Sequence, residues 1–127
     1  MKLKIKTRQT KPGVVTLSPI GHIDTETSAI LDKEISRILA TACKTLVLDM
    51  AGVDYITSAG VGIIAKTKAS IIKNNGDLAM INLQPQVKKV FEIIRLLPTL
   101  NVFASKEELD KYLGKVQRRI TGEEDEY

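Results

Sequence analysis

One stretch of the 127-residue chain concentrates glycines and hydroxyls: Asp49-Met50-Ala51-Gly52-Val53-Asp54-Tyr55-Ile56-Thr57-Ser58-Ala59-Gly60-Val61-Gly62. It follows the apolar run Leu46-Val47-Leu48 and precedes apolar residues at helical spacing, so Thr57 or Ser58 falls at a helix start. The free N–H groups of a first turn, with the positive end of the helix dipole, favour an anion by about 0.3–1 kcal/mol at an exposed position. Ser58 therefore admits two readings. Its hydroxyl can act as an ordinary N-cap, or it can carry a phosphate whose charge suits the helix end.

Other chemistry is excluded by spacing. Gly60-Val61-Gly62-Ile63-Ile64-Ala65 satisfies a dinucleotide-binding pattern, but the preceding strand ends near Asp49, too early for the tight turn that pattern needs. Gly60 to Thr67 resembles a phosphate-cradling loop ending in Lys66-Thr67, yet Ala65 stands where a glycine is required. His22 is the only histidine and reads as a partly buried loop residue, so neither a histidine metal cluster nor a Ser-His-Asp triad is available. Cys43 is the only cysteine and reads as a small core residue. The chain is thus expected not to be an enzyme, and no cofactor or metal is expected.

Composition narrows the class. With 43% apolar and 27% charged residues, residues 1–116 read as one globular domain with its own core. Residues 117–127 pass from Arg118 and Arg119 to Glu123, Glu124, Asp125 and Glu126, and read as a charged, solvated tail. A lone cysteine cannot form an internal disulfide, and the opening residues alternate lysine with apolar side chains unlike a signal peptide, which points to the cytoplasm. No apolar run approaches the ~20 residues of a membrane-spanning helix, so no membrane insertion is expected. The net charge of +4 is spread along the chain and few aromatics are present for base stacking, so no direct nucleic-acid contact is expected.

The elements that must position Ser58 follow from periodicity. Lys2 to Thr7 alternates as a strand, Pro12-Gly13 turns the chain, and Val14 to Ile20 forms a second strand with Val15 and Leu17 inward. Pro19 predicts that this strand stops there or lies at an edge. Asp24 or Thr25 caps a helix carrying Leu31, Ile35, Ile38, Leu39 and Ala42, and Leu46 to Leu48 is a strand buried on both faces. After a loop, a helix places Val61, Ile64, Ala65, Ile71 and Ile72 inward and stops at Asn74-Asn75-Gly76. Leu78 to Ile81 is a strand, and Pro85 opens a helix with Val87, Val90, Phe91 and Ile94 on one face before Pro98. Val102-Phe103 is a short strand, and Ser105 with Glu108 opens a last helix with Leu109, Tyr112, Leu113 and Val116 on one face. The expected fold is α/β: a mostly parallel central sheet, an antiparallel N-terminal strand pair and about four helices.

Three segments in this order resemble the STAS domain family: Gly21-His22-Ile23-Asp24 with Thr27, Ser28 and Leu31, then Leu46 to Asp49, then Val53 to Gly62. Gly76 before Leu78 to Ile81, and Pro85 with Val87 to Phe91, are similar to its later parts, so the likeness covers about residues 3–114. The resemblance is to the anti-sigma factor antagonists. These, when unphosphorylated, bind an anti-sigma factor that is also a serine kinase, and phosphorylation cancels the binding. It implies that Ser58 is the phosphoacceptor, and that Asp24, Thr25, Tyr55, Ile56, Thr57, Ser58, Ala59 and Gly60 meet the partner. It also implies a serine phosphatase as a further partner. Thr57 departs from the aspartate that many such antagonists carry before the acceptor. The family's alternative role is as a non-phosphorylated binding subunit of a transporter or stress-signalling complex.

Overall fold

The computed structural model describes residues 3–95 and 101–121, with side chains up to Gly114. The described elements are β1 (Lys4–Lys11), β2 (Val14–Ile23), α1 (Thr25–Leu39), β3 (Thr45–Asp49), β4 (Val53–Ile56), α2 (Ser58–Lys73), β5 (Asp77–Ile81), α3 (Pro85–Ile94), β6 (Asn101–Phe103) and α4 (Lys106–Thr121). The sheet order is β1-β2-β3-β5-β6, with β4 attached to β2. The β1–β2 pair is antiparallel and the remaining pairs are parallel, as the alternation of strand and helix patterns predicts.

Two layers of helix sandwich the sheet because β3 and β5 are apolar on both sides. Leu46, Leu48, Leu78 and Met80 face α1, α2 and α3 in the main core, together with Leu31, Ile35, Ile64 and Phe91. Val47, Ala79 and Ile81 face the other way, against Leu109 and Leu113 of α4. Each fully buried side chain of this size contributes about 1.5–3 kcal/mol through burial. At the start of β5, the Asp77 carboxylate ties α4, β6 and α2 together. It accepts from the Tyr112 hydroxyl, from Asn101 Nδ2 at 2.9 Å, and faces Lys68 Nζ at 3.8 Å.

Several expectations are corrected. β2 does not stop at Pro19 or lie at an edge: it sits between β1 and β3 and continues to Ile23. The ladder to β3 ends at Leu17 and the ladder to β4 begins at Gly21, so Pro19 falls between them and its missing N–H breaks neither. Val53 to Ile56, expected as loop, forms β4. Ile72 and Ile94 are exposed, each in the final turn of its helix. β1 starts at Lys4 and runs four residues past Thr7, whereas Lys2 and Pro98 lie outside the described residues. The α4 helix runs to Thr121; residues 122–127 lie outside the described residues, as does the Val116 side chain. At the head of α4, Glu108 N–H donates to Ser105 Oγ at 3.3 Å and the Glu108 carboxylate accepts from Ala104 N–H at 3.3 Å.

Candidate functional site

The site is built where β2 and β4 end together. Ile23 pairs with Ile56 in the last rung of the parallel ladder, and Thr57 N–H donates to Ile23 O at 2.9 Å. Two helices therefore depart from neighbouring points, α1 after Asp24 and α2 after Thr57. Gly60 lets the start of α2 lie this close to the ends of β2 and β4. A Cβ there would stand 2.6 Å from Ile23 Cγ2 and 2.8 Å from Ile56 Cγ1, separations that packed carbon atoms do not tolerate. Farther along, Lys66 and Asp32 bridge the two helices at 3.1 Å.

The two helix starts are finished differently. Asp24 caps α1 fully: its carboxylate accepts from Thr27 N–H at 2.9 Å, while the Thr27 hydroxyl accepts from Asp24 N–H at 2.9 Å and donates to His22 O at 2.7 Å. These bonds to Thr27 hold the Asp24 carboxyl below its ordinary pKa of 3.8. α2 has no such closure. Its N-cap is Thr57 and not Ser58, and the Thr57 side chain makes no capping bond. The Thr57 hydroxyl instead donates to Ile23 O at 3.4 Å, which leaves the first-turn N–H groups without a side-chain acceptor.

Ser58 thus stands at the first helical position, and its ordinary N-cap role is overturned by this extended geometry at Thr57. It is exposed, and among the described residues its hydroxyl has no protein partner. Tyr55 is 53% exposed beside it, and Thr25 is exposed at the start of α1. Ile56 and Gly60, expected at the partner face, are buried, because both fill the junction behind the loop. Their part is to position Thr57 and Ser58. Ala59 is half-buried.

Sequence reading missed a histidine–carboxylate contact here. His22, expected as a partly buried loop residue, lies exposed in β2, where it pairs with Tyr55 of β4 in register. Its Nδ1 is 2.8 Å from Asp54 Oδ1, and its ring meets Tyr55 edge-on with centroids 5.7 Å apart. The signal was hidden because it depends on β4 being a strand. Gln84, the N-cap of α3, and Gln86 in its first turn hold the same segment, donating to Ala51 O at 2.8 Å and to Asp54 O at 3.2 Å. Cys43 packs against the main core as expected; its thiol donates to Thr45 O, and burial raises its pKa.

The Asp24 cap carries a pH prediction. A carboxyl whose folded pKa lies below its ordinary value stabilises the fold above pH 3.8, and this contribution is lost as pH falls through the lowered pKa. Asp24→Asn keeps a competent cap but cannot titrate. Denaturant titrations are expected to show the variant losing less stability than the parent on acidification from neutrality to below pH 3.8. Parallel losses would show that Asp24 does not contribute.

Comparison with known proteins supplies the relatives of this arrangement. A family model described as the STAS domain matches residues 6–109. A Bordetella bronchiseptica protein, provisionally named anti-sigma factor antagonist BtrV, is 32% identical over 95 residues, 75% of each chain. An anti-sigma factor antagonist from Mycobacterium paratuberculosis has a similar structure, with a TM-score of 0.77 at 24% identity over 91% of this chain and 94% of that one. The Bacillus cell fate determinant SpoIIAA in its phosphorylated form gives a TM-score of 0.67 at 20% identity, covering 86% of this chain and 99% of that one. These two structures share the fold. Among the described residues, no helix is long and apolar enough to cross a membrane.

Proposed function

The chain belongs to the STAS domain family, and on that premise we propose that it is an anti-sigma factor antagonist, a binding protein switched off by phosphorylation of Ser58. Its partner in this reading is an anti-sigma factor that is also a serine kinase. The supporting observation is the contrast between neighbours: the Ser58 hydroxyl is exposed and unbonded, whereas that of Thr57 is half-buried and engaged by Ile23 O. A kinase reaching this loop meets Ser58 first.

In the transfer, Ser58 Oγ bonds to the γ-phosphorus of ATP, the bond to the bridging oxygen breaks, and ADP leaves. The hydroxyl proton passes to a base of the kinase. A serine phosphatase reverses the switch by hydrolysis, returning the hydroxyl and releasing phosphate. The uncapped first turn of α2 accommodates the phosphate in the free protein, since its N–H groups lack a side-chain acceptor. Within an interface the added charge of about −1.5 to −2 must be desolvated against the partner. Tyr55, Thr25 and Ser58 form the exposed part of the surface that the partner covers, with Asp24 and Thr57 half-buried behind them.

The test is incubation of the intact chain with its host's anti-sigma kinase and ATP, followed by peptide mass spectrometry. One phosphate on Ser58 and none on Thr57 is expected. An unmodified loop would end the switch reading and favour a constitutive binding subunit.

A further inference from the structure

β1 is the outermost strand of the sheet: among the described residues it pairs with β2 alone, so one side of its eight-residue backbone is open. The pairing decides which groups line that side. Pro19 has no N–H to give, and Gly21 N–H donates to Gly52 O at 2.9 Å, so the odd-numbered residues of β2 turn their backbone groups away from β1. Their antiparallel partners Ile5, Thr7 and Gln9 turn theirs away from β2, which aligns three N–H and three C=O groups on the open edge. The usual obstructions to strand addition are missing. Lys4–Lys11 holds no proline, and its register with β2 is regular from Lys4 to Gln9, shifting only before Lys11. On the α1 side of the edge, Leu3, Ile5 and Ile30 floor a groove of about 380 Å3 bordered by Lys33, Glu34 and Arg37. The Glu34 carboxylate there already accepts from the Thr7 hydroxyl and from Arg37. Ile5 packs with the main core, so alternation sends Lys4, Lys6 and Arg8 to the opposite face, where all three are exposed.

We propose that this edge takes up, as an added strand, an extended segment of another protein in which Asp or Glu alternates with apolar residues. The backbone of the segment bonds to Ile5, Thr7 and Gln9, its apolar side chains enter the groove over Leu3, Ile5 and Ile30, and its carboxylates face Lys4, Lys6 and Arg8. Directly opposed side chains of neighbouring strands lie about 4.5–5.5 Å apart at Cβ, close enough for each cation to meet a carboxylate. Charge excludes a second copy of this chain as the occupant. β1 laid antiparallel on β1 opposes lysine and arginine on one face, and the first 23 residues hold no Asp or Glu to relieve them. Lysines on an edge strand guard against self-pairing, and the same lysines admit a strand of opposite sign. Strand addition at β1 requires nothing of Ser58.

The test adds an end-blocked hexapeptide alternating glutamate with valine to the isotope-labelled full chain and follows the backbone amides by NMR. Saturable binding is expected, with downfield shifts and slowed hydrogen exchange at the Ile5, Thr7 and Gln9 amides, while the Lys6 and Arg8 amides, already bonded to β2, keep their exchange rates. A lysine–valine hexapeptide should not bind, and Lys6→Glu combined with Arg8→Glu should weaken the glutamate peptide by about tenfold or more. Thr7→Pro removes an N–H that β2 does not use, so it should abolish binding while the protein melts near the parent. The assignment is overturned by no binding at millimolar peptide, by shifts confined to the exposed Lys88 and Lys89 of α3, or by equal affinity for a peptide with its glutamates and valines in separate blocks. It is equally overturned if the charge-reversed or a folded Thr7→Pro variant binds like the parent, or if the edge amides become protected with rising protein concentration alone, which would make a second copy the occupant.

Discussion

Ser58→Asp is expected to weaken binding to the cognate anti-sigma factor by about 100-fold or more, whereas Ser58→Ala leaves it within a few-fold of the parent. A hundredfold is about 2.7 kcal/mol, within reach of one charge desolvated in an interface without a counter-ion. Alanine loses little because the Ser58 hydroxyl makes no bond within the chain's described residues. Stability separates this from misfolding. A negative charge in the first turn of α2 is favourable by about 0.3–1 kcal/mol, so the aspartate variant should melt no lower than the parent while failing to bind. Calorimetric titration of both variants, with melting curves, checks the pair of outcomes. Equal affinity for all three proteins would mean that Ser58 lies outside the interface.

The expected loss rests on the difference between the two helix starts, and only one was legible in the sequence. Asp24 three residues before Thr27 is a local signal, since both partners of the cap lie within one turn. At α2 the sequence offers two adjacent hydroxyls and no means to choose between them. What decides is tertiary: Thr57 turns its side chain to the Ile23 carbonyl, 34 positions away in the chain, and so leaves the capping place open. The same dependence hid β4. Its burial pattern, inward at Val53 and Ile56 and outward at Asp54 and Tyr55, is not the alternation of a strand, because the register shifts between Gly21 and His22 and leaves Asp54 as the extra residue of a bulge. With β4 unread, the His22–Asp54 pair was unreadable too. Helix ends fail for a related reason. Ile71 and Ile72 are equally apolar, but only Ile71 is buried, and apolar periodicity does not say where a helix runs out of sheet to cover.

Gly60 and Gly62 look alike in sequence and are expected to respond oppositely to substitution. A Cβ added at Gly62 would find no neighbouring atom within 4 Å, so Gly62→Ala should stabilise the helix by about 0.5–1 kcal/mol through propensity alone. At Gly60 the added carbon meets Ile23 and Ile56, both buried and β-branched, as well as the Ile23 carbonyl at 3.2 Å. Rigid neighbours cannot yield without opening the Ile23–Ile56 rung. Gly60→Val should therefore cost about 3 kcal/mol, the upper range for overpacking, and lower the melting midpoint by about 10 °C. Thermal unfolding of the two variants decides it. A Gly60→Val protein that melts with the parent would mean that α2 does not approach β2 this closely. The junction that sets the aim of Ser58 would then be looser than the separations at Gly60 require.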